Sequence, residues 1–434
     1  MILKKLKNNK ICSNASWIIG CKLGKAFLVL LSTMIMSRYL GVSNYGVISY
    51  VASLVTFVIP IMQLGLPDIL VHEIILFPEN EGKIIGTSIV LNLLSGLLCL
   101  FGISVFVKIV NRGEYEVFIV CLCYGLLIIF RALETIYYWF QAKLMSKYTS
   151  IALLIAYIIV TVIQCLCAFF KVSIFLVAIT YSIEYLIVAI ILLYFYRIKN
   201  GQKFVFSISW AKKLLNKGKY YIISGLMVMI FSQTDKIMLK FMTGDSAVGL
   251  YSAATVCASM SSFVFIAIID SMRPTIFQAK ESKAKFENQI MILYSIIILF
   301  SFMQSLVISA LAPLIINIIY GKLYEDAVSI LQIVVWFTTF SYIGTVRNIW
   351  MLAKNCQRYL FPINALGAIV NICLNLLMIE KYGAKGAAIA SVIAQFFTNV
   401  LVGYLFSPLR ENNRLMIKAL NLKYILNLMK ESCK

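Results

Sequence analysis

Apolar runs long enough to cross a bilayer recur along the whole 434-residue chain, and they restrict the fold more than any other feature. A helix of about 18–20 consecutive apolar residues spans the hydrocarbon core of a membrane. Hydrophobic residues make up 61% of the chain, charged residues make up 13%, and the mean hydropathy is +0.91. This balance excludes a soluble globular domain and predicts an all-α polytopic membrane protein.

The pattern predicts twelve transmembrane helices. The second and ninth are unusually long and contain Pro60, Pro67 and Pro313, so we expect these two to be bent or broken. The predicted spans are residues 15–39, 46–75, 84–109, 116–140, 148–170, 173–196, 219–241, 247–272, 289–319, 326–353, 359–380 and 385–407.

The basic residues that give the formal net charge of +21 are distributed as expected for a membrane protein. With the N-terminus placed in the cytoplasm, most Lys and Arg residues fall in the two tails and the inner loops, which is the positive-inside pattern. We therefore expect both termini to be cytoplasmic and the basicity to reflect topology rather than nucleic-acid binding, with contact of the basic segments with anionic lipid of the bilayer as the alternative.

Two short motifs occur twice at nearly equal offsets. GVSNYGVIS at 41–49 matches GDSAVGLYS at 244–252, and AKLMSKY at 142–148 matches AKNCQRY at 353–359. Six spans per half is an even number, so the two six-helix bundles would be parallel repeats with a central cavity at their interface. The predicted domains are an N-terminal lobe at 1–196, a basic cytoplasmic linker at 197–218, a C-terminal lobe at 219–408 and a basic cytoplasmic tail at 409–434.

Three cations lie inside predicted spans. Lys22 and Lys25 share a face of the first span, and Arg347 in the tenth span has no acidic residue within four positions. Charged groups at this depth normally face a wet cavity or a partner. We interpret Lys22, Lys25 and Arg347 as a candidate cationic lining that binds an anionic cargo such as a diphosphate, with structural pairing as the alternative for the two lysines.

Two carboxylates also lie at depth. Glu184 is near the middle of the sixth span, and Asp235 is followed directly by Lys236 in the seventh. Each is a candidate for H⁺ or Na⁺ coupling, or else a counter-ion to a lysine, and for Asp235 we favour the counter-ion role. Local ion pairs at i,i+3 spacing are predicted for Arg131 with Glu134 and for Asp270 with Arg273.

Neither a metal site nor a catalytic site is predicted. The eleven cysteines contain no CxxC motif, and His72 is the single histidine, which supplies neither a metal cage nor a catalytic triad. We predict no cofactor beyond a coupling ion and no enzymatic activity.

Spaced motifs give the chain a family resemblance. SRYLGVSNYGVISYVASL (37–54), QLGLPDILVHE (63–73), YYWFQAKLMSKY (137–148), SQTDKIML with GDSAVGLYSAA (232–254) and YGAKGAAIAS (382–391) resemble the O-antigen (Wzx-type) polysaccharide flippases of the multidrug/oligosaccharidyl-lipid/polysaccharide (MOP) exporter superfamily. The resemblance covers nearly the whole chain. It identifies the superfamily better than the substrate.

The resemblance implies a MATE-like, V-shaped transporter of two six-helix bundles. Such a protein moves an undecaprenyl-diphosphate-linked oligosaccharide, the O-antigen repeat unit of lipopolysaccharide, from the cytoplasmic to the periplasmic leaflet of the bacterial inner membrane by ion-coupled alternating access. Polysaccharide polymerase and chain-length proteins are the implied protein partners. The resemblance assigns no role to Lys22, Lys25 or Arg347, which depend on the charge argument alone.

Three other functions compete with this one. A multidrug antiporter of the same superfamily would export cationic or neutral compounds, which lysines in the cavity would disfavour. A lipid II flippase usually has two further C-terminal helices. An O-antigen polymerase or lipid-dependent glycosyltransferase needs a sizeable outer loop, whereas the predicted outer connections are short and contain no DxD motif.

Overall fold

The computed structural model describes residues 10–421, with side chains from Cys21 onwards except those of Lys22, Leu23, Asp68, Ser224 and Glu281. Within that range every regular element is a helix. The chain separates into two compact units that divide between Met229 and Ile230. We refer to these as unit 1 and unit 2.

Unit 1 is built from seven α-helices and the first part of an eighth, among the described residues. They are α1 (Lys10–Met62), α2 (Pro67–Leu76), α3 (Glu81–Val110), α4 (Tyr115–Arg131), α5 (Ile136–Ala142), α6 (Ser146–Phe169), α7 (Ile174–Ile198) and α8 (Ile208–Thr243).

Unit 2 begins with the second part of α8 and continues through shorter and longer helices. They are α9 (Asp245–Ser259), α10 (Ser262–Gln278), α11 (Lys283–Ile319), α12 (Ala327–Ala353), α13 (Leu360–Phe396), α14 (Val402–Leu405) and α15 (Arg410–Lys418), with a π-helical turn at Phe397–Leu401.

Ten helical stretches of the described chain are long and apolar enough to cross a membrane. Two of them, Gly24–Met62 and Gln357–Leu405, contain a residue with non-helical backbone, Gly41 (φ 72°) and Gly383 (φ 55°). Dividing the two stretches at these glycines gives twelve segments, which is the predicted number.

The predicted second span, 46–75, needs correction. Its helix ends at Met62, and a turn through Leu64 (φ 52°) and Gly65 (φ 66°) leads into α2, with Pro67 in its first turn. Proline is favoured there because the first amide groups of a helix have no partner within the helix. The ten residues of α2 are too few to cross a bilayer, so the break that we expected falls between two separate helices.

Proline has a different outcome in the predicted ninth span. Pro313 lies inside α11, which continues from Lys283 to Ile319. The predicted eighth span, by contrast, is interrupted at Met260 and Ser261, between α9 and α10. Residues 208–218 of the predicted linker form the start of α8, and the unit boundary lies further along the same helix.

The first repeated motif has the same backbone in both units. Gly41 has φ 72° and ψ 177°, and Gly244 has φ 91° and ψ −176°. Only glycine adopts this region readily, which explains why both motifs begin with it.

The second repeated motif also agrees between the units. Leu144 and Asn355 both have φ 55°. The next residue in each unit closes the same turn, since Met145 N donates to Phe140 O and Cys356 N to Met351 O, both at 2.8 Å. The sequence repeats therefore correspond to repeated structure.

A close helix approach at Gly218 gives a stability prediction. A Cβ at this position of α8 would collide with the carbonyl oxygen of Leu64, whereas a Cβ at Gly102 of α3 would meet open space. We expect Gly218→Ala to destabilise the protein by about 1–3 kcal/mol, as overpacking does. Gly102→Ala should leave stability unchanged or slightly higher, since alanine favours helix. Melting temperatures of the two variants in detergent test this, and equal values would contradict the packing argument.

Candidate functional site

Lys25 lies on α1 in the interior of unit 1, among charged and aromatic side chains. Its Nζ stands 4.4 Å from the ring centroid of Tyr157 on α6. It is within electrostatic range of Glu184 on α7, of Arg131 at the end of α4 and of Glu134 in the turn that follows. Helices α1, α4, α6 and α7 and the turn that follows α4 therefore bring two cations and two carboxylates into one region.

Two cavities flank this region of unit 1. The first, which we call the tyrosine cavity, has a volume of about 220 Å³. It is lined by Val29, Ser32, Thr33, Tyr124, Tyr157, Val160, Thr161, Gln164, Tyr181, Glu184 and Tyr185.

The second, which we call the lysine cavity, has a volume of about 270 Å³. Lys25 is in its wall, and the lining also includes hydroxyl and amide groups. The lining residues are Cys21, Lys25, Tyr137, Gln141, Ser146, Thr149, Ser150, Leu153 and Leu154. Lys25 therefore lines the lysine cavity and touches Tyr157, which lines the tyrosine cavity.

Glu184 is partly buried and points into the tyrosine cavity. The hydroxyl of Tyr157 donates a hydrogen bond to it, and Lys25 and Arg131 partly offset its charge. Arg131 is held in turn by Glu134, with 2.8 Å between Nε and Oε2, as the i,i+3 spacing predicts. The structure thus brings the predicted residues Lys25 and Glu184 together.

Asp235 is buried in unit 2, where three neutral groups donate to its carboxylate and Lys236 lies within electrostatic range. Oδ2 accepts hydrogen bonds from the hydroxyl of Tyr251, at 2.6 Å, and from that of Ser391. Oδ1 accepts one from Nδ2 of Asn375, also at 2.6 Å. The small buried residues of 387–391 let this part of α13 approach closely enough for these contacts. We name Asp235, Tyr251, Asn371, Asn375 and Ser391 the aspartate cluster.

Arg347 lies in the interior of unit 2 with 2% of its surface exposed. Its Nη1 donates to the backbone oxygen of Thr398 at 2.7 Å, and its Nη2 to Oδ1 of Asn348 at 3.3 Å. Thr398 lies in the π-helical turn, where the wider backbone exposes carbonyl groups to other partners. The Nε of Arg347 is buried without a hydrogen-bond partner in the described part of the chain.

Lys22 lies outside the described side chains, so its role stays a prediction. The second predicted local pair is present in unit 2, where Arg273 Nη2 lies 3.3 Å from Asp270 Oδ1.

Sequence reasoning missed the partners of Asp235. Asn375 is 140 residues away from it along the chain. One signal was available, since Asn371 and Asn375 are four apart in an apolar span and therefore share a helix face. Amides buried at membrane depth need hydrogen-bond partners, and a carboxylate is a suitable acceptor.

A separate charged cluster joins α2 to α8 within unit 1. Glu73 is fully buried, with Lys213 Nζ 2.8 Å from its Oε2 and Lys217 on its Oε1. The same Lys213 ammonium lies 3.8 Å from the ring centroid of Phe77 and 4.2 Å from that of Trp210. Burial alone would raise the pKa of Glu73, but the hydrogen bonds and charges of the two lysines outweigh it and lower that pKa.

The Glu73 cluster gives a pH-dependent prediction. A lowered carboxylate pKa stabilises the folded protein above the ordinary glutamate value of about 4.3, and this contribution is lost as the pH falls through the lower folded-state value. At neutral pH, Glu73→Gln should lower the free energy of unfolding by about 1–2 kcal/mol. The loss is smaller than for a fully buried ion pair because both lysines are partly solvated. The stability gap to wild type should shrink in acid. Thermal melts from pH 3 to 8 measure it, with exposed Glu79→Gln as the control.

Comparison with known families gives one broad match. A sequence model of the family described as "Polysaccharide biosynthesis protein" matches residues 11–280. A 263-residue stretch is 27% identical to an uncharacterized membrane protein of Methanocaldococcus jannaschii and covers 56% of this chain and 50% of that one. The match therefore spans half the length of that relative.

Three solved structures share the fold. One is described as lipid II flippase MurJ in an inward closed conformation (TM-score 0.72, 15% identity, 95% of this chain and 92% of that one). Another is an inward-facing multidrug resistance MATE family transporter of the MOP superfamily (TM-score 0.71, 13% identity, 91% of this chain and 96% of that one). The third is a MOP superfamily transporter from Pyrococcus furiosus (TM-score 0.59, 13% identity, 95% of this chain and 97% of that one). The predicted MATE-like helical membrane fold is confirmed.

Proposed function

Because the chain belongs to the polysaccharide biosynthesis protein family, we propose that it is a flippase for undecaprenyl-diphosphate-linked oligosaccharide. The family match over residues 11–280 is the observation that carries the proposal. The substrate is an O-antigen repeat unit, moved from the cytoplasmic to the periplasmic leaflet of a bacterial inner membrane by alternating access. Both termini face the cytoplasm, and the polysaccharide polymerase and chain-length proteins receive the product.

Lys25 is the residue best placed to bind the diphosphate. Its side chain lines the lysine cavity and comes from an apolar membrane helix. In such low-dielectric surroundings a contact between an ammonium and a phosphate is stronger than in water. Glu184 offsets part of its charge, which reduces the cost of keeping the lysine charged while the site is empty.

Arg347 and Lys22 are the other two cations that we propose bind the anionic cargo. The unpartnered Nε of Arg347 supports an anion-binding role, because a buried donor left unpaired is costly. Its burial means that a phosphate would reach it only after unit 2 rearranges around the π-helical turn.

We assign ion coupling to Asp235, in place of the counter-ion role expected from Lys236, because three neutral groups donate hydrogen bonds to its carboxylate. Its carboxylate, the Oγ of Ser391 and the Oδ1 of Asn371 are hard oxygen ligands grouped around the Asn375 amide. Such ligands suit a proton or a Na⁺ ion. The Oδ1 of Asn375 is buried without a partner among the described residues, so a rotated amide has an oxygen to offer a cation. Glu184, the second candidate, has both Lys25 and Arg131 in electrostatic range, whereas Asp235 interacts in this way with Lys236.

Transport in vesicles tests the proposal. The purified chain is reconstituted with undecaprenyl diphosphate carrying a fluorescently labelled oligosaccharide, and an impermeant quencher reports how much label reaches the outer leaflet. We expect flipping that empty vesicles lack and that an inward H⁺ or Na⁺ gradient accelerates. Export of a fluorescent organic cation, with no lipid flipping, would contradict the flippase function and favour that of a multidrug antiporter.

A further inference from the structure

The tyrosine cavity differs from an ordinary gap between membrane helices. Four of its lining residues are Tyr124, Tyr157, Tyr181 and Tyr185, each only partly buried. Gaps in an apolar bundle are normally filled by aliphatic side chains or stay dry. Here the lining combines aromatic rings with hydroxyl, amide and carboxylate groups.

We infer that the tyrosine cavity is a saccharide subsite, which receives one sugar residue of the lipid-linked substrate. The inference rests on the proposed function. A sugar ring has apolar C–H faces and a rim of hydroxyl groups. Tyrosine supplies both an aromatic face and a hydroxyl, and a few placed polar groups in an aromatic pocket are the usual basis of ligand specificity.

The polar groups of the cavity offer complementary hydrogen bonds. Glu184 presents acceptor oxygens to adjacent sugar hydroxyls, while Thr161 and the tyrosine hydroxyls both donate and accept. Thr161 is 5% exposed, so its hydroxyl is sheltered from bulk solvent. The volume of about 220 Å³ is of the order of one monosaccharide rather than a chain.

Hydrogen bonds that join lining residues to each other and to neighbouring helices hold the cavity walls in place. Gln164 accepts a hydrogen bond from Ser32 on α1 and donates to Thr180 on α7 at 3.1 Å. Ser182 of α7 donates to the backbone oxygens of Cys123 and Tyr124 on α4, at 2.8 and 2.9 Å. Walls fixed in this way lower the ordering cost of binding.

The position of Lys25 links the subsite to the diphosphate. Its ammonium stands over the Tyr157 ring, and that ring is part of the cavity wall. A phosphate bound at Lys25 would therefore leave the first sugar next to the tyrosines. An aromatic cavity with a carboxylate also suits an organic cation. Lys25 and Arg131, both in electrostatic range of Glu184, disfavour that occupant.

Binding measurements with and without a sugar test the inference. The full chain in detergent is titrated with undecaprenyl diphosphate alone and with the same lipid carrying one N-acetylglucosamine, glucose or galactose residue. We expect at least one glycosylated lipid to bind about tenfold more tightly than the bare lipid, as two or more neutral hydrogen bonds would give.

Two conservative variants locate the contact. Thr161→Val and Tyr181→Phe should each reduce the preference for the glycosylated lipid about fivefold, the value of one hydrogen bond, and leave affinity for the bare lipid unchanged. Tyr194→Phe on α7 is the matched control, because Tyr194 is 61% exposed and outside the cavity. Melting temperatures establish that the variants fold.

The outcomes separate the inference from the proposed function. Binding of the bare lipid without any preference for sugar, or a preference that both variants keep, would overturn the subsite and leave the flippase intact. Failure of every undecaprenyl lipid to bind would overturn the flippase itself. Displacement of the glycosylated lipid by tetraethylammonium, abolished in Glu184→Gln, would assign the cavity to organic cations instead.

Discussion

Asp235→Asn should remove most of the acceleration of flipping by an ion gradient. Asparagine is nearly the same size as aspartate but carries no charge for a proton or Na⁺ to neutralise. Its amide would also meet the donors of Tyr251, Asn375 and Ser391, which now point at the carboxylate. A charge-assisted contact is worth about 1.5–3 kcal/mol, so we expect gradient-driven transport to fall about ten- to a hundredfold.

The measurement is the initial rate of lipid flipping in vesicles with and without the gradient. Asp270→Asn is the matched control, since its side chain is half exposed and pairs locally with Arg273 in the same unit. Affinity for undecaprenyl diphosphate should be unchanged in Asp235→Asn. If the variant keeps the gradient response of wild type, Asp235 has a structural role and coupling lies elsewhere, with Glu184 the next residue to replace.

Hydropathy alone predicted most of the helical architecture. Membrane helices satisfy their own backbone hydrogen bonds, so a long apolar run is sufficient evidence for one. The method failed at residues 63–76, where α2 is as apolar as a true span but only ten residues long. Leu64 and Gly65 reverse the chain before it, and a leucine with positive φ leaves no signature in composition.

Local electrostatics was also predictable, whereas the sites were not. The pairs of Arg131 with Glu134 and Asp270 with Arg273 depend on helical spacing only, and both are present. The partner of Glu184 is Tyr157, on another helix, and hydropathy gives no information on which helices are neighbours. The apolar runs showed which charged residues lie within the membrane, but they did not show which side chains surround them.

Lys25→Ala should weaken binding of undecaprenyl diphosphate about ten- to a hundredfold, since it removes a charge-assisted contact worth about 1.5–3 kcal/mol. Lys25→Arg should keep much of the affinity, because guanidinium also binds phosphate. Lys108→Ala, an exposed lysine at the end of α3, is the matched control and should bind like wild type. Titration of the purified variants with the bare lipid gives the three affinities.

A second variant separates the two roles open to Lys25. If the lysine serves only as a counter-ion, Lys25→Ala leaves Glu184 with less compensation, and adding Glu184→Gln should restore stability and lipid binding together. If Lys25 holds the diphosphate, the double variant should regain stability but still bind weakly, because neutralising Glu184 supplies no cation. Recovery of wild-type affinity in Lys25→Ala/Glu184→Gln would therefore refute the phosphate-binding role, and a persistent loss, with the melting temperature restored, would support it.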